Sequence, residues 1–271
     1  MTDWHVLYVD NARVYQPVLE AGLASAPAEA KGLDKVFRRF GPNHVGRRPK
    51  ILDLSCGIGR HSISLAKLGY EVVGFDFSPY FLKTAQRLAN REGLRRDSVR
   101  FIEGDANRLR EILGERGEAG FDAVVCMDTS IVRSTLEEER RLVLSMRDVS
   151  RPGAILVVET ASRDAFLRHK ASLPFVQTFD GGKLQRHISA AYDSRMKHIK
   201  GCWRFYRVER NDDLKHLLTF NWESNIHSES DLRKLLKESG WTHLRTYGGI
   251  RKLDKLTSDS FHIVMVTKRV S

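Results

Sequence analysis

Three acidic residues stand at or near the ends of short apolar runs in the first half of the chain. Asp53 lies within 51–54, Asp76 closes 71–76, and Asp105 follows 99–104. Runs of this length and composition predict strands. Because the carboxyl ends of parallel strands meet at one edge of a sheet, we expect the three carboxylates to line one ligand crevice. Carboxylates accept hydrogen bonds from hydroxyl and amino groups, so the crevice suits a ligand that donates them.

A glycine-containing loop, residues 55–59, follows the first of these strands. Glycine tolerates unusual dihedrals and lets a ligand approach the backbone. Asp76 lies 19 positions after Gly57, an offset at which an acid accepts hydrogen bonds from ribose hydroxyls. A dinucleotide site is the competing interpretation, but Ser62 stands where its third glycine belongs. Asp53, just before the loop, would also repel a pyrophosphate.

S-adenosylmethionine (SAM) fits the three acids better than a dinucleotide does, because it has no phosphate. With Asp53 near the ammonium group, Asp76 on the ribose and Asp105 on the adenine, the acids would cover this ligand from end to end. We therefore predict SAM as the cofactor, with S-adenosylhomocysteine as its product.

At this point the chain resembles the class I SAM-dependent methyltransferases, and in particular their small-molecule branch with an inserted antiparallel sheet. The matching segments are 52–62, 74–78, 103–106, 121–126 and 151–154. Ser55 replaces the first glycine of the family's loop, which is tolerable if it keeps ordinary dihedrals. The cofactor-binding residues that the pattern and the resemblance imply are Asp53, Ser55, Cys56, Gly57, Gly59, Asp76, Phe77, Asp105, Ala106 and Met127.

The alternation of strands and helices predicts an α/β fold with a doubly wound, mostly parallel sheet. The resemblance implies seven strands and a reversed C-terminal hairpin. We expect residues 1–49 to form an N-terminal helical lid and linker, with breaks at Pro17 and Pro27 and with Tyr8 and Tyr15 as candidates for covering the cofactor. Residues 50–170 and 226–271 would form the Rossmann-like domain. Residues 171–225, which contain four strand-like runs and no helical pattern between them, would form an inserted antiparallel sheet on the acceptor side.

Methyl transfer requires aligned, dry reactants, and a base only if the acceptor must lose a proton. Asp128, in the loop after the fourth strand, is a candidate base or acceptor anchor, with a simple turn residue as the alternative. His187 and His198, on the inserted strands, are further candidate bases, with surface or packed histidines as the alternative. Glu159, at the end of the fifth strand, either faces the acceptor or makes a structural hydrogen bond.

Charge is distributed unevenly along the 271 residues. The chain carries a net charge of +11, of which residues 1–162 contribute +2 and residues 163–271 contribute +9. This excess is either an ordinary solvated surface or an attraction for an anionic acceptor, with RNA as a less favoured partner. No long apolar run or signal pattern is visible, so we expect a cytoplasmic protein without membrane association. The three separated cysteines indicate reduced thiols, and no Cys/His spacing suggests a metal site.

The favoured function is therefore SAM-dependent methylation of a small molecule at oxygen or nitrogen. An RNA or protein methyltransferase that docks through the basic C-terminal half is one alternative. A SAM-binding protein without catalysis is another, because no base is evident. The acceptor and the oligomeric state are not determined by the sequence.

Overall fold

Strands and helices alternate through the first half of the chain, as expected for a parallel sheet. The computed structural model describes residues 2–41, 47–169 and 174–270. The α-helices are α1 (Ala12–Glu20), α2 (Ala26–Phe40), α3 (Arg60–Lys67), α4 (Pro79–Arg91), α5 (Leu109–Glu115), α6 (Leu136–Val149), α7 (Arg163–His169) and α8 (Glu229–Glu238). The strands are β1 (Lys50–Leu54), β2 (Glu71–Asp76), β3 (Val99–Glu103), β4 (Phe121–Cys126), β5 (Ser150–Ala161), β6 (Phe175–Phe179), β7 (Leu184–Asp193), β8 (His198–Val208), β9 (Leu214–Asn225), β10 (Trp241–Gly249), β11 (Asp254–Lys255) and β12 (His262–Arg269).

The large sheet has the order β11-β10-β12-β5-β4-β1-β2-β3. Strands β1 to β5 pair in parallel, whereas β12 runs antiparallel to both β5 and β10. The predicted α/β class and reversed C-terminal hairpin are confirmed. The two-residue strand β11 adds an eighth strand at the edge of the seven that were predicted.

The N-terminal region is helical but differs from the prediction at one proline. A π-helical turn spans Val6–Asp10, and α1 continues through Pro17 instead of breaking there. Pro17 lies near the middle of this short helix, where it removes one hydrogen bond, to the Arg13 carbonyl. Pro27 occupies the first turn of α2, where proline needs no hydrogen-bond partner. Within the predicted linker, residues 42–46 lie outside the described residues.

The inserted sheet has the order β6-β7-β8-β9, and all its strands are antiparallel. The side chains alternate between two faces. One face is apolar and carries Trp203, Phe205 and Phe220, of which Phe205 is fully buried. This face packs against the N-terminal segment and against Ile58 and Phe81 of the large domain. Burial of each such aromatic side chain contributes roughly 2–3 kcal/mol, so the contact holds the inserted sheet beside the glycine loop.

Two larger apolar clusters cover the two faces of the large sheet, one beneath α5, α6 and α8 and the other beneath α2 and α3. Among the described residues, no helix is long and apolar enough to cross a membrane.

Candidate active site

The loop between β1 and α3 turns through three residues with left-handed backbone: Ser55 (φ 59°), Gly57 (φ 55°) and Gly59 (φ 76°). Glycine adopts this conformation without a steric penalty. The condition that Ser55 keeps ordinary dihedrals is therefore not met. A non-glycine residue pays roughly 1–2 kcal/mol for this conformation, so the loop stores strain at the position of the family's first glycine.

Asp76 holds the glycine loop to the end of β2. Its Oδ2 accepts a hydrogen bond from the Gly57 N–H at 2.9 Å, and its Oδ1 accepts one from the Ser78 N–H at 2.9 Å. Burial raises the pKa of Asp76 to about 6 although these N–H groups oppose the shift, and the negative charge of Asp53 adds to the rise. Each carboxylate oxygen has a second lone pair, so Asp76 retains the capacity to accept from two hydroxyl groups.

Asp53 lies behind the same loop. It is 2% exposed and accepts a hydrogen bond of 2.5 Å from the Ser62 hydroxyl. Burial raises the pKa of its carboxyl group. Two buried carboxylates that interact behind one glycine loop are incompatible with a pyrophosphate, but they suit a ligand with ribose hydroxyls and cationic groups. The residues present therefore fit SAM.

The other predicted cofactor residues surround this corner in different ways. Asp105 is exposed and accepts a hydrogen bond from the Asn107 N–H at 2.8 Å, and Ala106 follows it half-buried. The half-buried Phe77 ring lies 4.9 Å from the His5 ring. The two remaining side chains are buried: that of Cys56, within the glycine loop, and that of Met127, within the cluster beneath α2. Any contact of Met127 with the cofactor would therefore come from its main chain.

Asp128 belongs to an ionic network that the sequence analysis missed. Arg60, at the start of α3, donates to both Asp128 carboxylate oxygens at 2.7 and 2.6 Å and also pairs with Glu29 of α2. His61 Nε2 lies 2.9 Å from Glu29 Oε2. Burial alone would raise the pKa of Glu29, but the hydrogen bond from His61 and the charge of Arg60 lower it to about 2. The bidentate contact with Arg60 thus fixes the orientation of the Asp128 carboxylate.

The loop that carries Asp128 is fastened to β5. Asp128 and Thr129 are both left-handed, and the Thr129 N–H donates to the Glu159 carbonyl at 3.0 Å. Glu159 is 9% exposed, and its Oε1 lies 3.8 Å from His262 Nδ1. Burial raises the pKa of Glu159. Two carboxylates, Asp128 and Glu159, therefore lie together at the carboxyl edge of β4 and β5.

The N-terminal segment lies over the corner that Asp76 forms. Ser78 Oγ donates to the Tyr8 carbonyl at 2.6 Å, and Leu19 of α1 lies against Gly57. The Tyr8 ring stacks on Trp4 at 5.6 Å and meets the Tyr15 ring edge-on at 5.0 Å. The segment therefore places aromatic side chains beside Ser78 and the glycine loop.

Arg186 of β7 is a buried cation on the apolar face of the inserted sheet. It is 9% exposed, and its guanidinium carbon lies 4.8 Å from the Trp203 ring centre, 5.4 Å from Phe179 and 6.0 Å from Tyr15. Its Nε donates to Gln177 Oε1 at 3.2 Å. In the described part of the chain, no carboxylate lies within ion-pair distance of Arg186.

His187 and His198 lie on the opposite face of the inserted sheet, because strand side chains alternate. His187 Nε2 lies 3.0 Å from Gln185 Oε1, and its ring lies 4.7 Å from that of Tyr206. His198 begins β8 and pairs in register with Asp193 and Asn225. The structure therefore brings Asp128 and Glu159 together at the sheet edge, but it does not bring either histidine to them.

The parallel sheet with a reversed hairpin, the glycine loop and the buried acid at the end of β2 define a class I, Rossmann-like SAM-dependent methyltransferase. The protein is a SAM-dependent methyltransferase. Residues 51–153 match a family model described as "Methyltransferase domain".

Comparisons over nearly the whole chain agree with this assignment. A glycine/sarcosine N-methyltransferase of Parasynechococcus marenigrum is 29% identical over 234 residues, which are 84% of this chain and 74% of the relative. A SAM-dependent methyltransferase from Clostridium acetobutylicum has the same fold, with a TM-score of 0.72, 15% identity, and coverage of 97% of this chain and 98% of its own. A sugar N-methyltransferase from a Streptoalloteichus species superposes with a TM-score of 0.68 at 18% identity, over 94% and 92% of the two chains.

Proposed function

We propose that this enzyme methylates a small-molecule acceptor at nitrogen or oxygen, and that the acceptor carries an anionic group that binds Arg186. The relatives whose names specify an acceptor favour a small molecule, since they include a glycine/sarcosine and a sugar N-methyltransferase. The observation that carries the anionic part of the proposal is the burial of Arg186 without a carboxylate partner among the described residues.

A buried guanidinium group is costly unless it is paired with an anion. Gln177 and the rings of Trp203, Phe179 and Tyr15 orient Arg186 but supply no negative charge. A carboxylate or phosphate of the acceptor would provide that charge in the bidentate geometry that arginine favours. Exposed arginines elsewhere on the inserted sheet have no such need, because water solvates them.

On the cofactor side, we assign the ribose to Asp76, the amino-acid end to the region of Asp53 and the adenine to Asp105. The loop residues Ser55, Cys56, Gly57 and Gly59, together with Phe77, Ala106 and the main chain of Met127, would complete the cofactor contacts. SAM supplies a methyl group already activated by its sulfonium. The protein therefore has to align the acceptor and keep water out, and the aromatic cover formed by Trp4, Tyr8 and Tyr15 serves the second purpose.

An acceptor amine that binds as an ammonium ion must lose a proton before its nitrogen can attack the methyl group. Asp128 and Glu159 are better candidates for this step than His187 or His198, because both carboxylates lie at the carboxyl edge of the large sheet. The raised pKa of Glu159 brings it closer to the working pH of a base. Arg60 holds the Asp128 carboxylate in an orientation from which it can attract a cationic amine.

The test uses methyl-tritiated SAM with glycine, sarcosine and ethanolamine, the last of which has an amine but no carboxylate. We expect label in an anionic acceptor. Arg186→Gln should raise the KM for that acceptor by roughly 100-fold and leave SAM affinity unchanged, whereas Arg186→Lys retains part of the activity. Methylation only of acceptors that lack an anionic group, such as ethanolamine, or an unchanged kcat/KM in Arg186→Gln, would exclude the anionic acceptor.

The same labelling in fractionated host extract separates the alternatives. Label in RNA or protein would make the enzyme a macromolecular methyltransferase, and bound SAM without any turnover would favour a binding protein. Nothing specific favours RNA, because the positive charge is spread over 171–225 (net +3) and 226–271 (net +4) instead of forming one patch. We also propose a cytoplasmic location, since Cys56, Cys126 and Cys202 are all unpaired.

A further inference from the structure

Glu139 is a buried carboxylate that neither the cofactor nor the acceptor assignments use. It lies in the first turn of α6 and is fully buried. Its Oε1 accepts hydrogen bonds from the Arg133 N–H at 3.0 Å and from Asn225 Nδ2 at 2.9 Å, and its Oε2 lies 2.9 Å from His227 Nε2. Hydrogen bonds from several donors offset the cost of burying a carboxyl group at this depth.

The three partners of Glu139 lie in two separate parts of the chain. Arg133 ends the loop after β4, the loop that carries Asp128. Asn225 is the last residue of β9, where the inserted sheet ends, and His227 follows as the chain returns to the large domain. A backbone hydrogen bond of 3.0 Å from the Asn225 N–H to the Arg133 carbonyl also links the end of β9 to this loop.

The end of β5, where the chain leaves the large sheet, is bound to His227 as well. Ser162, directly after β5, forms a β-bridge with His227, and the Arg163 N–H donates to the His227 carbonyl at 2.8 Å. Arg163 Nη1 also pairs with Asp231 of α8 at 2.6 Å. The end of β5 and the segment that follows β9 therefore meet at the bridge between Ser162 and His227. Glu139 contacts the side chain of His227 at this bridge.

We infer that Glu139 is a positioning residue that fixes the inserted sheet, and with it Arg186, relative to the loop of Asp128. This inference rests on the proposed function in one respect, because it assumes that the acceptor contacts both Arg186 and the loop of Asp128. Strand β9 is paired with β8, and β8 with β7, so a shift at Asn225 is transmitted through the ladder to Arg186. A misplacement of about 1 Å at a reacting centre can cost roughly 100-fold in rate.

Two variants and one control separate positioning from general stability. Glu139→Ala removes the acceptor oxygens from Arg133, Asn225 and His227. Glu139→Gln can keep them, because its carbonyl replaces Oε1 and its amide can donate to an unprotonated His227 nitrogen. Glu118→Ala is the matched control: Glu118 is also buried, at 7% exposure, but it pairs with Arg100 and Lys50 at the opposite edge of the sheet.

The decisive measurement is hydrogen exchange of the full chain by mass spectrometry, which needs no acceptor. In Glu139→Ala we expect faster exchange at 129–133, at 162–163 and at 224–227 together, with little change in the glycine loop and a SAM Kd within about twofold of wild type. Glu139→Gln should exchange almost as the wild type does. Faster exchange confined to α6, or spread evenly over the large sheet as we expect for Glu118→Ala, would overturn the inference.

Kinetics with the acceptor found in the labelling test form the second arm. Glu139→Ala should lower kcat/KM for the acceptor by at least about tenfold at unchanged SAM affinity, and Glu118→Ala should lower stability without that loss. If the exchange pattern appears but no acceptor is found, the coupling between sheet and loop stands and the proposed function fails. If kcat/KM is unchanged in Glu139→Ala, the positioning role fails and the proposed function stands.

Discussion

The carboxylate of Asp76 accepts a hydrogen bond from the backbone N–H of Gly57 at 2.9 Å, so the acid that ends β2 directly holds the loop that follows β1. A second bond, from the Ser78 N–H, fixes the other oxygen. One side chain thus sets the shape of the glycine loop and presents its remaining lone pairs toward the crevice.

Replacement of Asp76 tests the ribose assignment. Asp76→Ala should weaken SAM binding by at least about 100-fold, because each hydrogen bond to a charged acceptor is worth about 1.5–3 kcal/mol. Isothermal titration calorimetry gives the affinity, and circular dichroism checks that the fold persists. Asp105→Ala is the control, since its exposed carboxylate should contribute less. Wild-type affinity in a folded Asp76→Ala protein would falsify the ribose assignment.

SAM affinity should depend on pH through the same carboxyl group. Burial raises the pKa of Asp76 from 3.8 to about 6, so the folded apoprotein binds this proton more tightly than the unfolded chain does. The group therefore contributes stability at low pH that is lost as the pH rises through about 6. If two ribose hydroxyls need the ionised form, affinity should fall about tenfold for each pH unit below the folded pKa.

Calorimetry between pH 5 and pH 8 checks this dependence, at roughly one-unit steps around the expected pKa. The matched variant is Asp76→Asn, which cannot ionise and should bind weakly at every pH. Burial also raises the pKa of Asp53, and Asp76→Asn shows how much of the pH dependence this second carboxyl group causes. A wild-type affinity that stays constant down to the acid end of this series would show that protonation of Asp76 does not matter for binding.

The cofactor half could be predicted from sequence because its signals are local. Each acid sits at or near the end of an apolar run, and the glycines follow at once. The network of Glu29, Arg60 and Asp128 could not be predicted in this way, because its members lie on α2, α3 and the loop after β4. Only the folded sheet brings them together, and no local pattern marks Glu29 as anything but a helix residue.

The inserted sheet shows a second limit of prediction from sequence. Alternation along β8 correctly separated an apolar face from a polar face. It did not indicate which face turns toward the cofactor domain, because that depends on the apolar contact with the N-terminal segment and Ile58. Histidines on the polar face therefore looked like candidate bases. Glu139 was missed for a related reason, since its partners Asn225 and His227 lie 86 and 88 positions away.

Asp128 can be tested without disturbing its turn. Asp128→Asn keeps a residue type that tolerates left-handed backbone but removes the charge beside Arg60. We expect kcat/KM for the acceptor to fall by roughly 10- to 100-fold with SAM affinity unchanged, because the charge should orient the acceptor amine. Steady-state kinetics and calorimetry measure the two quantities. Activity equal to the wild type would reduce Asp128 to a turn residue, the alternative that the sequence leaves open.

The strain at Ser55 predicts a stabilising substitution. Ser55→Gly removes the penalty of a left-handed non-glycine residue and should raise the free energy of unfolding by roughly 0.5–1 kcal/mol, after allowance for the greater entropy of glycine in the unfolded chain. Urea denaturation measures this change, and Ser62→Gly, which removes the hydrogen bond to Asp53, should act in the opposite direction. Weaker SAM binding in Ser55→Gly would instead indicate that the serine hydroxyl contacts the cofactor.

Replacement of the two histidines tests whether the outer face of the inserted sheet takes part in the reaction. His187→Gln and His198→Gln should change kcat/KM for the acceptor by less than about threefold, because both side chains project away from the face that carries Arg186. Glu159→Gln is the positive control, since it removes a carboxylate at the sheet edge, and its activity should fall. A loss of about 100-fold in either histidine variant, at unchanged stability, would restore that histidine as the base.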